Sequence, residues 1–92
     1  MDLKEIQGKE VIAGKARVLG NVCGVEVDTE NWKVTHIHVD VDKNIVEELG
    51  FKKPRLGSVK VTFPVEIIDG ISDKIILKET VDQLKNIVRL RP

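Results

Sequence analysis

From Trp32 to Val41 the chain places Ile37, Val39 and Val41 on one side and His36, His38, Asp40 and Asp42 on the other. A two-residue period of this kind is the mark of a strand with one face in the core. Val18 to Val27 reads as its antiparallel partner, returned through the polar connection Asp28, Thr29, Glu30 and Asn31. Within that partner the apolar positions pass from Val18 and Val22 to Val25 and Val27. One extra residue makes such a change of parity, and a glycine inside a strand often marks it, so a bulge or sharp coil is predicted at Cys23-Gly24.

The rest of the chain fits around this pair. Gly8 to Ala13 reads as a first strand, with Gly14 to Arg17 as the turn that follows. Lys43 to Phe51 carries Ile45, Val46 and Leu49 at helical spacing, with Asp42 placed to cap it and Gly50 to stop it. A basic loop, Lys52 to Arg55 with Pro54, leads to the alternating strand Ser58 to Phe63, where Pro64 ends the regular ladder because it has no N–H. Val65 to Asp69 and Lys74 to Lys78 are two further short strands. From Thr80 to Leu90 the period changes to three and four, with Thr80 as N-cap and Gln83 three residues on, which predicts a short C-terminal helix. The expectation is an all-β fold of about six strands in a small barrel, with one short helix after the third strand and one at the C-terminus. It spans residues 1–92 as one domain, the barrel over 3–79 and the helix over 80–90.

Composition narrows the class. Hydrophobic residues are 41% of the 92, enough for one core, yet the only aromatics are Trp32, Phe51 and Phe63, so branched aliphatics must fill it. Fifteen basic residues balance fifteen acidic ones, so no long-range field favours a polyanion and nucleic acid is not an expected partner. A single cysteine, Cys23, rules out an internal disulfide and suits a cytoplasmic chain. No apolar run nears the ~20 residues of a membrane helix, and the N-terminus lacks the pattern of a signal peptide, so membrane insertion is not expected.

Candidate chemistry is sparse. His36 and His38 lie at i and i+2 with Cβ atoms expected ~6.5–7 Å apart from a rise of ~3.3 Å per residue. Such a row splays outward, whereas metal ligands converge from several elements, so a solvated strand face is the expectation and no metal or cofactor is assigned. Cys23 has no neighbouring base or cation in sequence to activate it and reads as a bulge residue. Glu47-Glu48 and the Glu26, Asp28 pair read as surface charge, and no catalytic residue is assigned. Trp32, at the edge of the hairpin, is either a lid on the barrel or an exposed anchor of the kind that dominates interfaces. Val34 shares its parity with Trp32, so Trp32, Val34, His36 and His38 are the candidate protein-binding residues. A homodimer through this face or a sheet edge would cover surface that an open barrel exposes.

Gly8-Lys9-Glu10-Val11 with Gly14, then Val18-Leu19-Gly20-Asn21-Val22, resembles the opening of PRC-barrel domains. Val61 to Ile67 with Ile71, Asp73 and Ile75 to Leu77 is similar to that family's closing hairpin, and Thr80 to Lys85 looks like the helix found after it in archaeal stand-alone members. The family also includes the cytoplasmic domain of the photosynthetic reaction-centre H subunit and the C-terminal domain of the rRNA processing factor RimM. The resemblance implies a non-enzymatic adaptor that binds protein partners, with archaeal cell division beside SepF and FtsZ as its context. The alternative it implies is a ribosome-assembly factor of the RimM type. Its shared positions are glycines and aliphatics that specify shape, so it transfers no catalytic residue.

Overall fold

The structure is a computed structural model that describes residues 3–52 and 59–90. Lys53, Pro54 and Arg55 of the basic loop, and the tail residues Arg91 and Pro92, fall outside the described residues. The first described element is a helical turn, α1 (Leu3–Ile6), which the sequence pattern did not predict. Seven strands follow among the described residues: β1 (Glu10–Ala13), β2 (Arg17–Asp28), β3 (Lys33–Val41), β4 (Val59–Pro64), β5 (Ile68–Ile71), β6 (Ile75–Leu77) and β7 (Arg89–Leu90). They form one sheet in the order β5-β6-β1-β2-β3-β4-β7. All pairings are antiparallel except β1 with β6, which run parallel. Mainly β architecture, with a short helix after the third strand and another near the C-terminus, is the predicted fold class.

The β2–β3 ladder carries the predicted bulge. Val22 faces Val39 and Gly24 faces His38, so Cys23 is the extra residue. Two further register shifts along β2 and β3 were not predicted from the sequence. Val11 pairs with Gly20 while Ile12 pairs with Val18, which leaves Leu19 over and turns it into the core. Val18, expected inward, is consequently exposed beside Ile12 on the outer face. On β3, Val34 faces Val27 and His36 faces Glu26, so Thr35 is the additional residue and Val34 changes faces.

The core is aliphatic, as composition required, around Phe63, Leu19, Ile37, Ile75 and Leu84, all fully buried. Between β3 and β4 the four-residue helical turn α2 (Lys43–Val46) packs Ile45 and Val46 inward. Asp42 occupies its N-cap, but the Asp42 side chain makes no capping bond; only its carbonyl accepts, from the Ile45 N–H at 2.9 Å. Gly50 stops the turn as expected. Its φ is 93°, its N–H donates to Glu47 O at 3.0 Å, and the Phe51 N–H donates to Val46 O at 3.1 Å. This nested pair is a Schellman closure, for which a left-handed glycine is the natural residue.

After Pro64 the expected strand at Val65–Asp69 is replaced by a tight 3-10 turn, Val65–Ile67, and β5 begins only at Ile68. Side chains three apart eclipse in a 3-10 turn, which sets Val65 and Ile68 on one side while Ile67 is buried. The C-terminal helix, α3, covers Val81–Leu84 with both halves of the Thr80/Gln83 capping box formed. It is shorter than the periodicity suggested: the chain turns at 85–87 and Arg89–Leu90 pairs with Thr62 and Val61. No helix among the described residues is long and apolar enough to cross a membrane.

Candidate interaction site at the β2–β3 hairpin

The hairpin tip is built by Asp28. Its carboxylate accepts a 2.9 Å bond from the Asn31 side-chain amide and another of 2.9 Å from the Glu30 N–H. Both favour the charged form, so the Asp28 carboxyl is held below the usual carboxylate range, chiefly by Asn31 and then by Glu30. The turn then places Trp32 at φ 54°, in the left-handed region. Trp32 is 79% exposed. Its side chain stands in solvent and is not a lid on the barrel.

The four candidate residues do not share one face. Because Thr35 is bulged, Val34 stands with Ile37 and lines an apolar pocket, away from His36 and His38. His38, expected on a solvated face, is buried. It packs opposite Gly24 at the bulge, where a Cβ would lie at an ordinary contact distance of 3.5 Å from His38 Nδ1. Glu26 sits between the two imidazoles, its Oε2 3.1 Å from His36 Nδ1 and its Oε1 3.4 Å from His38 Nε2. The second contact has charge-pair distance without hydrogen-bond alignment, and His38 Nε2 has no hydrogen-bond partner.

This cluster does not have the wiring of a nucleophilic triad. Thr35 Oγ1, the hydroxyl nearest to hand, lies 2.9 Å from His36 Nδ1, the same nitrogen that meets Glu26. A relay needs hydroxyl and carboxylate on opposite ring nitrogens. Among the described residues, no group of three or more His, Cys, Asp or Glu side chains is arranged to hold a metal ion. Cys23 is a free, half-buried thiol at the bulge. Glu48 is engaged with Arg17 Nη2 at 2.7 Å, which raises the Arg17 guanidinium through that hydrogen bond and its charge.

The pocket beside Val34 was not visible in the sequence pattern. It has a volume of about 290 Å³ and is lined by Val34 and Ile37 of β3, by Val65, Ile68 and Ile71, by Ile75 of β6 and by Ile6 of α1. Every lining side chain is aliphatic. It lies where the strand order ends, since β5 pairs with β6 alone among the described residues. Only the spacing of three between Val65, Ile68 and Ile71 could have signalled it, and that signal is overridden by the β-type composition of the segment.

A family model described as PRC-barrel domain matches residues 1–84. No curated protein matches the chain at a significant level.

Proposed function

Because the chain belongs to the PRC-barrel domain family, we propose that it is a non-enzymatic adaptor that docks a protein partner through Trp32 and the apolar pocket beside Val34. Its proposed setting is the cytoplasm, among archaeal cell-division proteins of the SepF and FtsZ type. The observation that carries the reading is Trp32: an aromatic side chain 79% exposed on a hairpin tip fixed by two hydrogen bonds to Asp28. A large aromatic held in water on a braced turn costs solvation and contributes nothing to the core, whereas a partner's pocket recovers its burial. The paired use of His36 Nδ1 described above supports the non-enzymatic half of the reading.

Binding of the purified chain to SepF and to FtsZ, followed by calorimetry, tests the proposal. The expected outcome is saturable binding that survives high salt and is weakened about tenfold or more by Trp32→Ala, as for an interface anchor. Sedimentation of both forms in the same buffers reports whether Trp32 also serves self-association. Absence of binding to either protein, with retention of ribosomal proteins that leave as salt rises, would replace the cell-division setting with ribosome assembly.

A further inference from the structure

The segment that lines one side of the pocket beside Val34 also carries three exposed carboxylates. Val65, Ile68 and Ile71 face the pocket, and Glu66, Asp69 and Asp73 are interleaved with them along the chain, all three exposed. None of these carboxylates has a cation partner among the described residues: Lys74 is engaged with Glu10 at 3.1 Å, and Lys9 Nζ is directed to the Ser72 carbonyl. Ser72 Oγ donates to Asp73 Oδ1 at 3.1 Å, which leaves the charge itself unneutralised. An aliphatic pocket whose lining segment carries three exposed carboxylates without an ion pair disfavours acidic and purely polar segments and favours one that brings an apolar side chain between cations.

The strand edge refines this further. Asp69 is the extra residue in the β5–β6 pairing, where Ile68 faces Leu77 and Gly70 faces Ile76. A bulge carrying a charge on an edge strand works against strand addition. The occupant is therefore held by its side chains and not by extending the sheet.

We infer that this pocket is a docking site for a basic protein segment, which inserts an aliphatic side chain between Ile68 and Ile71 and sets Lys or Arg against Glu66, Asp69 and Asp73. The inference rests on the reading of the chain as an interaction module and names the partner chemistry of its pocket. It does not depend on Trp32 or on the division setting.

The test uses an end-blocked Lys-Lys-Leu-Leu-Lys-Lys peptide titrated into the full chain, with an acidic Glu-Glu-Leu-Leu-Glu-Glu peptide as comparison. Isoleucine methyl shifts by NMR give the site and the affinity. Expected is saturable binding of the basic peptide that shifts the Ile68 and Ile71 methyls and weakens as salt screens the carboxylates. Ile71→Gln is expected to weaken it about tenfold, as loss of an apolar contact at an anchor does. Asp69→Lys is expected to weaken it several-fold, with Glu66→Lys as a second reversal on an exposed side chain. Far-UV spectra matching the wild type show that each variant is folded. Failure of the basic peptide to saturate, equal binding of the acidic peptide, or indifference to both charge reversals would each overturn the assignment. A preference for the acidic peptide at the same methyls would overturn the charge assignment while leaving an interaction module standing. Failure of SepF and FtsZ to bind, by contrast, would leave the peptide result unchanged.

Discussion

Strand β3 connects two unlike ends of one core. At its C-terminal end Val39 and Val41 are fully buried and α2 closes over them with Ile45, Val46 and Leu49, none more than 4% exposed. At its N-terminal end Val34 and Ile37 border the pocket, Ile71 is 36% exposed, and Trp32 stands in solvent. The same aliphatic composition supplies both ends. What differs is the closing element: a helical turn ended by a left-handed glycine at one, and a 3-10 turn followed by a bulged edge strand at the other. One end is finished by the chain itself, and the other leaves apolar surface for something else to cover.

The sharpest way to break that comparison is at Gly20, on the finished end. A Cβ built there would lie 1.9 Å from the Asp40 carbonyl oxygen, a backbone atom that cannot turn aside. Gly20→Ala is expected to cost about 3 kcal/mol or more, the range of substitutions that force backbone strain. Gly24→Ala on the same strand would meet only His38 Nδ1, at an ordinary 3.5 Å, and should be tolerated. Urea unfolding of the two variants checks both. Similar losses would mean that the close approach at Gly20 does not fix the β2–β3 crossing.

A smaller effect separates the ends by packing alone. Leu49→Ala removes a side chain only 2% exposed and is expected to cost about 2–5 kcal/mol, as large-to-small changes in cores do. Ile71→Ala removes one that already borders open space, and about 1 kcal/mol or less is expected, as at surface positions. Equal losses in the same titration would show that the pocket end is as tightly packed as the α2 end.

The two ends were also unequally legible in the sequence. At the finished end the signals were local and chemical: strict alternation at Ile37, Val39 and Val41, a glycine at Gly50 where a helical turn must stop, and further along Thr80 with Gln83 spaced for a capping box. Each survives because one residue type dominates the choice of conformation. The bulge at Cys23 was readable for the same reason, since Gly24 marked it and parity changed around it. The Thr35 bulge carries no glycine and lies in a run of β-formers, so Val34 read as sharing the face of His36. Leu19 displaced Val18 from the core through a shift beside Gly20 whose register only the β1–β2 pairing determines. The pocket depends on how Val65–Ile67 tightens after Pro64 and on which strands meet around it. Those are tertiary facts, and local β propensity gave the opposite answer. Arg89–Leu90 shows the same override at the C-terminus, where pairing with β4 outcompetes a helical period.

The mildest perturbation acts on the unfinished end by acid. The Asp28 carboxyl is held below its usual range by bonds from Asn31 and Glu30 that form only in the folded hairpin. A carboxylate whose folded pKa is depressed contributes stability at pH above its unfolded value, about 4, and loses it as pH falls through the lower folded value. The thermal stabilities of wild type and Asp28→Ala should therefore differ most near neutrality and converge as pH falls from the unfolded value of about 4 through the lower folded one. Because Trp32 is the one tryptophan in the chain, its fluorescence reports the hairpin while far-UV dichroism reports the whole sheet. On acidification the fluorescence should change first, with the sheet intact, since Asp28 braces a turn that the core does not depend on. If the two signals instead move together, the hairpin and the end closed by α2 melt as one unit, and the difference between the ends is one of exposure and not of stability.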